Sequence, residues 1–309
     1  MRAILTSVGS LPRLADSPDE AILKAVQLQQ DHGLELLTDG EQRGDMLSMY
    51  ATLPGVRSEA GMPRFIGPVR PVEDSASFAK IRDLDVLRAK FPEARFKVSL
   101  TGPTTFAVSC GSAGAGPTYR SAMDPVLHDD IAAAIRPLAH EVGRRGAELQ
   151  LDDPILSQGM RDYAPVLARI DAIASEVPRD RASLHVCGGL ARGKVLDALQ
   201  KLENISTFNF AFAGAAEREN IALLARRTWE ERDRFLGVGC IPVQVMRAED
   251  IADGESVARV LKDVTDRIGL SRVRYVLPDC GLRATAPELV PKVLENLRQG
   301  YRLAFPAGD

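Results

Sequence analysis

The chain has little cysteine, little histidine and a single tryptophan: four cysteines, four histidines and Trp229 in 309 residues. Four cysteines in so long a chain cannot build a disulfide framework, so Cys110, Cys187, Cys240 and Cys280 are expected as thiols in a reducing compartment, used for packing or for metal. Strong charge of one sign is absent too. A formal net charge of -3, with acids and bases interleaved along the chain, leaves no basic patch and makes nucleic acid an unexpected partner. No apolar run approaches the roughly 18 residues of a membrane span, and the start, MRAILTSVGSLPR, lacks a secretory segment. A cytoplasmic protein with no membrane contact is expected. Glycine-rich dinucleotide fingerprints and phosphate loops are also missing.

What is present is an eight-fold alternation of short β-rich runs with helical stretches. The strand candidates are 3–8, 36–40, 97–101, 149–153, 183–187, 205–210, 235–240 and 273–278. Between them lie amphipathic runs such as PDEAILKAVQLQQDHG and ESVARVLKDVTDRIG, closed by Gly33, Gly146 and Gly269. Eight such units predict an α/β protein, a TIM (β/α)8 barrel forming a single catalytic domain over 1–309; a doubly wound open sheet is the alternative. Connections into strands are tight, whereas 54–72 and the run after the third strand are long and rich in glycine and proline. Loops that follow strands build the active face of such a barrel. Ser10, Asp39, Glu41, Asp152, Asp153, His185, Cys187, Asn209, Cys240, Asp279 and Cys280 all fall at or just past predicted strand ends.

Among these, His185 and Cys187 in SLHVCGG stand at i and i+2, on one side of a strand, and Cys280 in VLPDCGL follows 93 positions after Cys187. Zinc is bound by such residue types if the fold returns the chain to one place; otherwise they are two buried thiols and a chance histidine. Asp152 and Asp153 have two readings as well. They supply acid to a site, or they cap the helix that Pro154 opens.

The pieces SVGSLPR, LLTDGEQRGDM, LTGPTTF, LQLDDPIL, HVCGG, LGVGC and LPDCGL, in this order along the chain, resemble the cobalamin-independent methionine synthase family, in its catalytic C-terminal barrel, and most of all its short core-type members. The resemblance implies zinc held by His185, Cys187 and Cys280, and homocysteine held by Gly9, Ser10, Glu41 and Asp152. In that picture Glu41 and Asp152 bind the ammonium group, and the backbone near Gly9 with Ser10 binds the carboxylate. The expected product is methionine. The resemblance to core-type members also implies methylcobalamin or another methylcorrinoid as donor, not tightly bound and delivered by a corrinoid protein.

Departures accompany the resemblance. Folate-using members have a tryptophan after the third strand, where this chain reads TTFAVSCG. Where the family has a zinc-binding glutamate at the sixth strand, this chain has Asn209, a weak ligand or a residue beside the ligands. Pro242 replaces an acid or histidine. These leave two alternatives: alkyl transfer to another small thiol such as coenzyme M, for which Arg43 would be a sulfonate partner, and a degenerate metal-binding barrel without turnover.

Overall fold

The structure, a computed structural model, describes residues 2–190, 194–214 and 217–306. The eight predicted strands form one parallel sheet. In chain order they are β1 (Ile4–Leu5), β2 (Leu36–Leu37), β5 (Arg95–Thr101), β6 (Glu148–Asp152), β7 (Ala182–Val186), β8 (Thr207–Ala211), β9 (Phe235–Gly239) and β10 (Val273–Leu277). Neighbours follow the order β1-β10-β9-β8-β7-β6-β5-β2. The two ends meet: Thr6 bridges Leu36 in parallel, and the Glu35 N–H donates to the Leu5 carbonyl at 2.8 Å. The sheet therefore closes into a barrel, and the open-sheet alternative falls.

The expected helices form, among them α1 (Pro18–Asp31), α2 (Ala79–Lys90), α3 (Pro103–Gly111), α4 (Pro125–Arg144) and α9 (Gly254–Ile268). Gly33, Gly146 and Gly269 end α1, α4 and α9 at positive φ. Valine, leucine and isoleucine from the helices and the outward faces of the strands make one continuous core.

Both β1 and β2 are shorter than expected, and for β2 the reason is local. Gln29 of α1 is fully buried; its side chain donates to the Thr38 carbonyl at 2.8 Å and accepts from the Thr38 N–H at 3.1 Å. The side-chain amide thus replaces a neighbouring strand, and β2 ends at Leu37.

The segment 54–72 is not all loop. It holds an antiparallel hairpin, β3 (Val56–Glu59) and β4 (Met62–Phe65), turned by Ala60 and Gly61 at φ 50 and 82. Phe65 packs on Phe106 of α3 at 5.8 Å between ring centroids, which seats the hairpin beside the strand C-terminal ends. Among the described residues no helix is long and apolar enough to cross a membrane.

Candidate functional site

Strand alternation places one set of side chains inside the barrel, and bonds between non-neighbouring strands prove it. Tyr275 of β10 donates to Glu148 of β6, and Lys97 of β5 donates to the Ser7 carbonyl at 2.7 Å. Above this floor, Asp152 is in register with His185, and His185 with Asn209. Asn209, expected at the strand end, is mid-strand in β8, two residues before its last residue Ala211. It fits because its β9 neighbour is Gly237, where a Cβ would lie 2.0 Å from Asn209 Oδ1.

The fold does return Cys280 to His185 and Cys187. One ligand atom from each lies within 4.8 Å of the others. His185 is buried, and neither ring nitrogen has a hydrogen-bond partner, an expensive state for an imidazole unless something else occupies those nitrogens. Burial acts to lower the His185 pKa, but Cys280 and Asp152 raise it. Hydrogen bonding from Cys187 draws the Cys280 pKa down, and the same contact, with burial, pushes Cys187 up. Two thiols close enough to share a proton, beside an unpartnered imidazole, are a donor set that fits zinc. Cys240 is separate: it is buried, its Sγ is 3.6 Å from the Leu277 carbonyl, and burial raises its pKa.

The other end of the site comes from the first two barrel loops. Ser10 lies against the backbone of Gly281, beside Cys280; a Cβ on Gly281 would meet its Oγ at 2.1 Å, and the Ser10 carbonyl accepts from Leu282 N–H at 2.8 Å. The Gly9 carbonyl accepts from the Thr38 hydroxyl at 2.9 Å, and a Cβ at Gly9 would meet Ser99 Oγ at 2.8 Å. Glu41 is buried in a left-handed conformation, φ 52, unusual for a residue with a Cβ, and its N–H donates to Asp39 Oδ1 at 3.0 Å.

Lys80 went unnoticed in the sequence. Buried on α2, it donates to Glu41 Oε1 at 3.1 Å and stands 4.0 Å from Asp39. Burial opposes its charge, but Asp39 and Glu41 prevail and raise its pKa. The signal was its spacing: Lys80 shares the buried face of α2 with Ile81, Asp83, Leu84 and Leu87, a place where a lysine needs an acidic partner. Arg43, by contrast, is engaged away from the site, bonded to both oxygens of Asp83 at 2.7 Å and paired with Asp19.

The adjacent acids divide differently from either simple reading. Asp153 is a cap, but not of the helix Pro154 opens, which is a short 3-10 turn without a side-chain cap. Its carboxylate reaches to α3 and accepts from the Thr105 N–H at 2.7 Å, the Thr105 hydroxyl at 2.6 Å and the Thr104 N–H at 3.3 Å. Asp152 accepts from Gln150 Nε2 at 2.7 Å. Burial raises the Asp152 pKa, with Glu41 pushing the same way while His185, Gln150 and Lys80 pull it down.

A (β/α)8 barrel with a zinc-fitting thiol cluster and buried acids at one mouth is the frame of a thiol-modifying enzyme. Residues 6–301 match the family described as Cobalamin-independent synthase, Catalytic domain. The chain belongs to that family, whose curated relatives support a methyltransferase. It is similar to a methionine synthase of Methanocaldococcus jannaschii, 27% identical over 94% of this chain and 90% of the relative. It is also similar to a 5-methyltetrahydropteroyltriglutamate–homocysteine methyltransferase of Thermosynechococcus vestitus, 24% identical over 90% of this chain but 37% of that protein. A B12-independent methionine synthase from Shewanella sp. W3-18-1, solved with selenomethionine, shares the fold with a TM-score of 0.77, covering 98% of both chains at 19% identity.

Proposed function

We propose that this chain, as one catalytic barrel domain over 1–309, methylates the thiol of homocysteine to give methionine. The observation that carries the reading is one mouth holding both halves of an amino-acid thiol's complement: His185, Cys187 and Cys280 within 4.8 Å, and the buried acids Glu41 and Asp152. Zinc held by those three side chains, with a position left open, would supply the acidity that makes a thiol nucleophilic at neutral pH.

Asp152 and Glu41 bind the substrate ammonium group in this reading. Lys80 cancels part of the charge of Glu41 and Asp39, so the acids do not repel each other out of position. Gly9 and Ser10, against Gly281, are assigned to the carboxylate end. Holding both ends of a small molecule fixes the direction of its sulfur, which is the barrel's main contribution to a transfer reaction. Asn209 donates from its amide nitrogen to Gln150 at 2.9 Å, while its Oδ1, the amide atom able to ligate a metal, has no hydrogen-bond partner, so in this reading it stands as a weak ligand or a residue beside the ligands. The Shewanella neighbour's selenomethionine, an analogue of the product, supports the same ligand class.

The donor in this reading is a methylcorrinoid, free or on a corrinoid protein. The family's description speaks against a resident cobalamin, so the corrinoid in this reading is a substrate. Its support is TTFAVSCG, which offers no tryptophan for stacking a pterin. A sulfonate thiol in place of homocysteine finds less support, since Arg43 is already paired with Asp83 and Asp19. Four cysteines without a disulfide accord with the cytoplasm.

Zinc-loaded protein incubated with homocysteine and methylcobalamin tests all of this together. Methionine should form as the corrinoid loses its methyl group. Brisk methionine formation from methyl-tetrahydrofolate with methylcobalamin inert would overturn the donor, and no methionine from either would favour the degenerate barrel.

A further inference from the structure

The barrel interior beneath Asp152 carries a run of polar side chains whose directions are fixed by chemistry. Lys97, 1% exposed, donates from Nζ to the Ser7 carbonyl and to Gln150 Oε1, both at 2.7 Å. Asn209 donates from Nδ2 to the same Oε1 at 2.9 Å. Gln150, fully buried, turns Nε2 to the Val8 carbonyl at 2.8 Å and to Asp152 Oδ1 at 2.7 Å.

An ammonium has three N–H groups and no acceptor, so Lys97 can face only the oxygen end of the Gln150 amide. Were that amide reversed, its N–H groups would meet the Lys97 ammonium and its oxygen would meet the Asp152 carboxylate and the Val8 carbonyl. Lys97 therefore dictates that Gln150 always offers an N–H to Asp152. One carboxylate oxygen is thereby fixed, and the other, Oδ2, has no hydrogen-bond partner among the described residues.

We propose that Gln150, oriented by Lys97 and Asn209, is the positioning residue that aims the free oxygen of Asp152 at the ammonium group of the amino-acid substrate. Neither Gln150 nor Lys97 touches substrate or metal; both act through Asp152. The two are connected across the barrel floor, which explains why a buried lysine and glutamine stand where apolar side chains usually fill a barrel of this kind. The inference rests on Asp152 as the ammonium's partner.

The test is calorimetric titration of zinc-loaded protein with homocysteine, using Gln150→Met and Lys97→Met, each alone and combined with Asp152→Asn. Each single variant should weaken binding about tenfold, as expected for losing one hydrogen bond to a charged group. Each should change affinity by less than about twofold once Asp152 is already Asn, the mark of residues acting through it. Zinc content should stay near that of the unaltered protein throughout. Equal losses in both backgrounds, or no loss in the single variants, would overturn the inference by making the pair a packing element. If one variant fails to fold, the other still decides. Failure of the underlying reading looks different: unaltered protein would not bind homocysteine, or Asp152→Asn alone would bind it as tightly as unaltered protein.

Discussion

Removing the Asp153 side chain should cost stability, whereas removing the charge of its neighbour Asp152 should cost affinity. The Asp153 carboxylate is 0% exposed and accepts three hydrogen bonds from Thr104 and Thr105, two of them from N–H groups in the first turn of α3 that have no partner within the helix. In Asp153→Ala those N–H groups remain in a dry interior at about 1–3 kcal/mol each. One term offsets this. Burial pushes Asp153 up to about 6 from an ordinary 3.8, so the variant also escapes the penalty of keeping a charge out of water. A net loss of about 2–4 kcal/mol follows, within the range for removing a buried cap and leaving unsatisfied donors. Asp153→Asn keeps an oxygen for both Thr105 donors and loses only the 3.3 Å bond to Thr104, so it should cost about 1 kcal/mol. Gly102→Ala supplies an independent route to the same damage, because its Cβ would lie 2.4 Å from the Asp153 carboxylate. Reversible urea denaturation measures all three. An Asp153→Ala midpoint equal to that of the unaltered protein, or Asn as damaging as Ala, would refute the capping argument.

Cys187→Ser and Cys280→Ser should each lose most of the zinc found by elemental analysis, while Cys240→Ser, outside the three-residue cluster, should keep it; full retention by the first two would remove the assigned ligands. Asn220 is fully buried, accepts from Leu190 N–H at 2.9 Å, and donates to the Gly188 carbonyl at 3.0 Å and the Ala211 carbonyl at 2.6 Å, clamping the loop that carries Cys187. Asn220→Ala should therefore lower zinc affinity by about tenfold in a chelator competition, the lower end for losing support behind a ligand. Asp124, the cap of α4, is held at about 2, below an ordinary 3.8, by the Arg120 side chain and by the Arg120 and Val126 N–H groups. A depressed carboxylate stabilises fully above its unfolded pKa and loses that contribution as pH falls through its folded one. Acid titration of Asp124→Asn should thus show a shallower fall in stability between pH 3.8 and about 2 than the unaltered protein; identical slopes would exclude the cap as a source of acid sensitivity.

Much of the barrel was legible because its signals are local and repeated: period-two runs, amphipathic helices and closing glycines register without knowledge of what packs on what. The hairpin β3–β4 was hidden by two residues that argue against it. Ala60 takes a left-handed turn position usually left to glycine or asparagine, and Pro63 stands within a strand. The trio His185, Cys187 and Cys280 was legible as residue types and spacing, but its closure depends on β7 and β10 belonging to one barrel. The Asp153 cap was not legible at all, since its partners Thr104 and Thr105 lie about fifty positions earlier, on the helix after β5. Lys97 and Gln150 left a readable trace in FKVSL and LQLDD, where polar residues alternate with apolar ones on strands expected to be buried on both faces.

The substrate end and the metal end of the mouth are also tied mechanically. Gln42 braces the first two barrel loops: its Nε2 donates to the carbonyls of Leu11, Pro12 and Gly40, and its Oε1 accepts from Leu14 N–H at 2.9 Å. Arg283, three residues past Cys280, donates to the carbonyls of Glu41 and Gly44, both at 2.6 Å. Leu282 N–H donates to the Ser10 carbonyl at 2.8 Å. One short segment, 280–283, thus carries a metal-cluster thiol at one end and grips both assigned substrate loops with the other. Glu41 stands in a backbone conformation that costs free energy, and a strained residue keeps its place only when its surroundings over-determine it. Here Asp39, Lys80 and Arg283 do so from three directions, which places the geometry of Glu41, the proposed ammonium partner, under the control of the same loop that delivers Cys280.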